Sequence, residues 1–255
     1  MMRLIHKLLY RMLPLESYLR VVSAMFFVWK RLGIGRYAEA TEYVYHLPKL
    51  VGEGATAIDI GANLGYYSRY ISQAIGEGGR LYSVEPVAPI LGVLRHNLRR
   101  CPNVEILPYA LGEEEREIVM CNDTARYQGY FGTGQNFVGD AATEGEGNQA
   151  GEQKGEQKGD RFPAQMRRGS ELFSKLTRLN FIKCDIEGYE VVVMNELRPL
   201  LERFRPTVLI ETGGENRPKI IALFRSLGYR GYTLEHGLEV PLTDDSEKDI
   251  IFRAQ

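Results

Sequence analysis

Acidic residues stand at the ends of four short apolar runs in this 255-residue chain. Asp59 closes the first and leads into Gly61-Ala62-Asn63-Leu64-Gly65. Glu85 closes the second, immediately before Pro86. Asp185 and Glu187 follow the third, and Glu211 precedes Thr212-Gly213-Gly214 after the fourth. If the runs are parallel strands, these carboxylates share the sheet edge where open α/β folds bind their ligands. Glycine allows positive φ and close backbone approach to a ligand. A helix starting just after the turn offers free N–H groups to a carboxylate or phosphate. An acid about 20 residues beyond such a turn can accept both hydroxyls of a ribose, and Glu85 has that spacing. The loop is not GxGxxG, because Asn63 holds the middle and the third glycine is missing; this argues against a nicotinamide-dependent oxidoreductase.

Other reactive side chains say less. Lys183 sits mid-strand, where a sheet covered on both faces should be apolar. It either snorkels to the edge or points into the site. Cys184 reads as a core residue, since nothing basic is arranged to ionise it. His6, His46, His96 and His236 show no ligand spacing.

The elements that position these residues alternate strand and helix from residue 56, the pattern of a parallel sheet covered on both faces. Strands are expected at about 56–60, Arg80–Val84, Val104–Leu107, Phe181–Asp185 and Thr207–Ile210. The helix after the glycine turn carries Tyr67, Tyr70, Ile71, Ala74 and Ile75 on one face. The next carries Val87, Ile90, Leu91, Leu94 and Leu98. Further helices are expected near 169–178, over 189–204 with a perturbation at Pro199, and over about 217–227. Two strands, about 229–234 and 249–253, suggest a terminal antiparallel pair separated by a polar loop. Residues 112–120 could add a short strand. The glycine-rich, acidic stretch at about 139–161, with its tandem GEQK, lacks apolar residues to offset ordering entropy and is expected to be a disordered or mobile insertion.

Residues 1–50 read as a helical extension separate from the core. Leu4, Leu8, Met12 and Leu15 recur at helical spacing, with Arg3, Lys7 and Arg11 on another face; Pro14 ends this element, and a second helix spans about 17–32. The extension is either a cap on the main domain or on a twin subunit in a homodimer, or a lid or membrane foot. Residues 1–36 hold seven Lys and Arg against Glu16 alone, +6 in all, which leaves −7 on the rest of a chain with net charge −1. No global field argues for nucleic acid. The apolar run Val21–Trp29 is short of the ~20 residues needed to span a bilayer. Three cysteines without CxxC spacing fit a reducing compartment. The chain thus reads as cytoplasmic, and a peripheral membrane contact through the N-terminal helices stays open.

DIGANLG at Asp59–Gly65, Glu85-Pro86 and IKCDIEGYE at Ile182–Glu190 resemble the FkbM-type S-adenosylmethionine-dependent methyltransferases over roughly residues 50–255. The resemblance implies a class I methyltransferase, a Rossmann-like α/β fold with a seven-stranded sheet whose last strand is antiparallel, occupying residues 51–255. It implies S-adenosyl-L-methionine, with its methionine part at Asp59, Gly61, Asn63 and Gly65, its ribose on Glu85 and its adenine beside Ala110-Leu111; Asp185 borders the same site. The chain departs from the family pattern at Ser170-Glu171, Thr212 and Lys248-Asp249, positions nearer the acceptor than the cofactor. The implied reaction is O-methylation of a hydroxyl on a sugar, glycan, glycolipid or secondary metabolite, and a non-catalytic methyltransferase-like scaffold is the alternative. Methyl transfer from a sulfonium needs alignment of the acceptor and removal of a proton. Asp185, Glu187 and Glu211 are the candidate bases, with Lys183 as a further catalytic candidate. The same carboxylates could instead hold a divalent ion such as Mg²⁺ that lowers the acceptor's pKa.

Overall fold

A computed structural model describes residues 2–39, 41–139 and 159–255. Three helices come first: α1 (Met2–Met12), α2 (Leu15–Arg31) and α3 (Glu42–Leu50). The alternating region then runs β1 (Thr56–Ile60), α4 (Ser68–Ile75), β2 (Arg80–Val84), α5 (Ala88–Leu98) and β3 (Val104–Leu107). After it come β4 (Ala110–Gly112), β5 (Arg116–Asn122), α6 (Thr124–Gln128), β6 (Phe137–Gly139), β7 (Asp160–Arg168) and α7 (Gly169–Leu172). The chain closes with β8 (Phe181–Cys184), α8 (Glu190–Glu196), α9 (Arg198–Phe204), β9 (Thr207–Ile210), α10 (Asn216–Ser226), β10 (Tyr229–Glu235), β11 (Leu238–Pro241) and β12 (Ile250–Ala254).

The main sheet has the order β11-β10-β12-β9-β8-β1-β2-β3. Strands β9, β8, β1, β2 and β3 are mutually parallel, and β12 is antiparallel to both β9 and β10. This is the class I methyltransferase arrangement with one strand more than expected. The extra strand is β11, which arises where a polar loop was anticipated. It is joined to β10 by the two-residue turn His236-Gly237, both at positive φ (50° and 78°). That is hairpin turn geometry, written with His in place of the usual Asn or Asp.

The sheet's two faces are buried under different helices. Ile58, Ile60, Ile182, Cys184, Val208 and Ile210 pack with residues of α8, α9 and α10. Ala57, Leu81, Phe181 and Leu209 pack on the other side with Ile71 and Ile75 of α4 and with Tyr43, Val44, Leu47 and Leu50 of α3. Helix α3 is therefore part of the sheet's covering, not separate from it. Helix α2 buries Tyr18 and Leu19 against Val87, Ile90 and Val93 around α5, and against Phe131 and Met166. This is the cap on the main domain that was one of the expected roles of the extension.

One helical expectation is corrected, and another holds with the break expected at Pro199. The helix near 169–178 shortens to α7, after which Phe173 and Leu179 turn into the core. The helix over 189–204 divides at Leu197, because Pro199 in the first turn of α9 has no N–H to continue α8. A second sheet, β4-β7-β5-β6, forms beyond β3. Its longest ladder pairs β5 with β7 antiparallel from Arg116↔Met166 to Asn122↔Asp160. Of these strands only β5 was anticipated, at 112–120. The insertion expected at about 139–161 falls at 140–158 outside the described residues; on either side of it, β6 and the start of β7 are regular strands.

Candidate active site

The turn after β1 is locked by backbone geometry. The N–H groups of Gly61 and Ala62 both donate to the Val84 carbonyl (3.1 and 2.9 Å). Gly61 has φ 76°, and a Cβ there would lie 1.9 Å from the Asp185 carbonyl oxygen. No other residue fits between β1 and the end of β8. Asn63 follows at φ 51°, in the left-handed region that asparagine tolerates. Its side chain accepts from Leu64 N–H (2.8 Å) and donates to the Thr133 carbonyl (3.2 Å).

Glu85 faces this turn from the end of β2. One carboxylate oxygen accepts the Asn63 N–H (3.0 Å) and the other the Val87 N–H (2.9 Å). Burial pushes its pKa up to about 7, against the pull of these two N–H groups and of Lys183. A carboxylate oxygen has more than one lone pair. Each therefore keeps acceptor capacity toward the cavity that Glu85 lines.

That cavity has a volume of about 420 Å³ and is lined by Gly61, Asn63, Glu85, Ala110, Leu111 and Asp185, together with Glu187. Six of the eight expected cofactor residues thus meet at one opening. Asp59 and Gly65 do not. Gly65 (φ 86°) faces α5, where a Cβ would press on Leu94 at 3.1 Å. Asp59 lies fully buried behind the turn, accepting a hydrogen bond from Ser68 Oγ (2.5 Å).

The opposite wall comes from the second sheet: Arg116, Met120, Thr133, Asn136 and Phe137. The 131–136 loop is held by Asn122, whose side-chain amide donates to the Gly132 carbonyl and to Asn136 Oδ1 (2.8 and 2.9 Å). Nothing in the sequence marked these residues as site-forming. The only signal was the cluster of aromatics among glycines at 127–137.

Lys183 is the internal strut. The β1–β8 register sets it opposite Asp59, so both point to the same sheet face. Its Nζ donates to Asp185 Oδ2 (3.0 Å) and to the Gly61 carbonyl (3.3 Å), and sits 3.8 Å from Asp59 Oδ1. Burial works against its charge, but Asp185 and Asp59 more than offset this and raise its pKa. Lys183 stays an ammonium ion and points into the protein, so it serves as a positioning residue and not as a base. Cys184 is buried, and that burial drives its thiol well above its usual range, as expected of a core residue.

The acids beyond β8 and β9 crowd together. Glu187, at φ 55°, lines both the large cavity and a neighbouring one of about 120 Å³. Asp185 does the same, whereas Glu211 reaches only the smaller cavity. Burial, with Asp185 and Glu190 adding, raises Glu187 to about 7. Burial, Asp185 and Asp249 raise Glu211 to about 8. Glu190 orders the turn itself, accepting from Gly188 N–H at 2.8 Å. The Mg²⁺ alternative finds no support in the donor set: among the described residues no group of three His, Cys, Asp or Glu is set to hold a metal ion, and Lys183 already engages Asp185.

The sheet order and the glycine-turn cavity at the ends of β1 and β2 define a class I methyltransferase. The sequence model of the "Methyltransferase FkbM domain" matches residues 59–230, and the chain belongs to that family of S-adenosylmethionine-dependent methyltransferases. A methyltransferase FkbM from Methylobacillus flagellatus is similar in structure at 15% identity, covering 78% of this chain and 44% of that one, with a TM-score of 0.49. Fibrillarin from Aeropyrum pernix, solved in complex with S-adenosyl-L-methionine, is similar at 16% identity over 80% of this chain and 68% of that one, with a TM-score of 0.43. Among curated proteins, the AMB antimetabolite synthetase AmbE of Pseudomonas aeruginosa is 41% identical over 64 residues, a quarter of this chain and 3% of that protein. The chain therefore spans less than half of that FkbM structure and a small fraction of AmbE.

Proposed function

We propose that the protein transfers a methyl group to a hydroxyl oxygen, on a sugar, glycan, glycolipid or other secondary metabolite, with Glu187 as the proton acceptor. S-adenosylmethionine, when bound, supplies an electrophilic methyl on a sulfonium. The chain's residues fit it: Glu85 offers spare acceptor positions for ribose hydroxyls, Ala110 and Leu111 give an apolar bed for adenine, and Gly61 lets the backbone approach the amino-acid part. The observation that carries the acceptor half is that Glu187 borders both cavities while holding a pKa of about 7, the range in which a general base works best at neutral pH.

On this reading an acceptor hydroxyl entering beside Glu187 would take the methyl group that the bound cofactor supplies, the electron pair of the carbon–sulfur bond remaining with the cofactor's sulfur, and Glu187 would accept the hydroxyl proton on a carboxylate oxygen. Lys183 holds Asp185 and the Gly61 carbonyl so that the turn and the acid stay in register. The loop at Thr133–Asn136 forms one wall of the cavity. Incubation with methyl-labelled cofactor and a glycan and lipid extract, followed by product identification, tests the proposal. A labelled methyl ether supports it. Label on nitrogen or carbon refutes O-methylation, and no label in any extract, despite cofactor binding, favours the scaffold reading.

A further inference from the structure

Helix α1 presents an unusual face to solvent. Leu4, Leu8 and Met12 recur every fourth residue and are 76, 58 and 71% exposed. An amphipathic helix of a soluble domain normally turns such a stripe inward. Here the inward side is used separately, by Leu9, Tyr10 and Leu13, which pack with Tyr18 and Phe131. Arg3, Lys7 and Arg11 flank the outer stripe, all exposed, and α1 contains no acidic residue. Beside it Lys7 lies against Gly129, just beyond α6, whose Tyr127 is 74% exposed.

We propose that α1 is a docking helix for an anionic phospholipid bilayer, lying in the interface with Leu4, Leu8 and Met12 in the acyl boundary and Arg3, Lys7 and Arg11 among the headgroups. Two features select this occupant. The pattern of apolar stripe with basic flanks is that of interfacial helices, and no helix among the described residues is long and apolar enough to cross a membrane. A second copy of the same face would set three cations against three cations. The stretch 140–158 carries acids but no leucine, isoleucine, valine, methionine or aromatic residue that could cover the stripe.

The position of α1 gives the docking a consequence for the catalytic cavity. His6 stacks on Tyr130 at 5.1 Å and is hydrogen-bonded to Tyr18 (2.8 Å), whose hydroxyl donates to the Phe131 carbonyl (3.1 Å). Helix α1 thus rests on the start of the loop whose Thr133 and Asn136 wall the cavity. A bilayer under α1 would lie close to that wall and favour acceptors carried on lipid. This last step rests on the methyl-transfer reading, whereas the docking does not.

Co-sedimentation of the full chain with phosphatidylcholine vesicles, with and without phosphatidylglycerol, tests the docking. Binding is expected only to the anionic vesicles and should weaken as salt is added. Leu4→Ser, Leu8→Ser and Met12→Ser together, or Arg3→Glu, Lys7→Glu and Arg11→Glu together, should each cut binding by about tenfold or more. Both triples leave the packed side of α1 intact, and an unchanged melting profile verifies this. Arg203→Glu, Lys219→Glu and Arg225→Glu make the same charge change elsewhere on the surface and should leave most binding in place. Equal binding to neutral vesicles, wild-type binding by either α1 triple, or a dimer in solution that the serine triple abolishes would each overturn the proposal. A protein that binds vesicles yet transfers no methyl group would leave docking standing and remove only the catalytic reading.

Discussion

Replacing Glu85 by Gln tests the cofactor site most directly. Two backbone N–H groups, Asn63 and Val87, each donate to a different Glu85 oxygen. Gln keeps one oxygen and puts an NH₂ in place of the other, so one acceptor toward the ribose is lost. Leaving one such partner unsatisfied costs about 1–3 kcal/mol, which is a Kd roughly 5- to 150-fold weaker for S-adenosylmethionine. A second signature comes from protonation. Burial lifts Glu85 from 4.5 to about 7, and two ribose hydroxyls are better held by the ionised form. Wild-type affinity should therefore tighten about tenfold from pH 6 to pH 8, while E85Q should show no such dependence from this site. In the ligand-free variant the loss of a buried charge at pH 8 is opposed by the backbone N–H that now faces the amide NH₂, a cost of about 1–3 kcal/mol, so its melting temperature should stay close to that of wild type. Calorimetric titration at both pH values, with thermal melts as the folding control, reads all three outcomes. A variant that folds and binds the cofactor within twofold of wild type at pH 8 would refute the assignment of Glu85 to the ribose.

Glu187→Gln should lower kcat by about 10²–10⁴-fold and leave the calorimetric Kd for the cofactor unchanged; a parallel loss of cofactor affinity would place Glu187 in the wrong role. Lys183→Met strands Asp59 and Asp185 without their cation, which should cost about 3–5 kcal/mol and lower Tm by roughly 10 °C. A melt within a degree or two of wild type would show that the strut carries no stability. The ligand-free protein should also lose stability as pH rises. Glu85, Glu187 and Glu211 have native pKa values of about 7, 7 and 8, above those of the unfolded chain. Their protonated forms stabilise the fold fully below pH 4.5, and this contribution fades as pH climbs to 8. Denaturant melts at pH 5.5 and 8 measure it, and greater stability at pH 8 would contradict the burial of these acids.

The backbone grammar of the site was legible because it is local. DIGANLG needs Gly61 where a side chain would strike the Asp185 carbonyl, and Pro86 ends β2 just after the acid. Such constraints are written into a few adjacent residues. Apolar runs and helical stripes likewise located seven main-sheet strands and the helices α4, α5 and α10. Lys183 could be flagged from its type alone, as a charge in the middle of a buried strand.

Tertiary structure decided what those residues do. Lys183 became a strut because the β1–β8 register places Asp59 opposite it. Gly65 left the site because α5 packs over it. The wall of Thr133 and Asn136 depends on β5 pairing with β7 some 40 residues later, a contact that no short pattern encodes. Helix α3, with Pro48 inside it, joined the core through contacts with strands far along the chain. The acids at four strand ends were visible one by one in the sequence. The raised pKa values of Asp59, Glu85, Glu187 and Glu211, and the nearness of Glu187 to both cavities, exist only because folding takes these acids out of water and crowds like charges together.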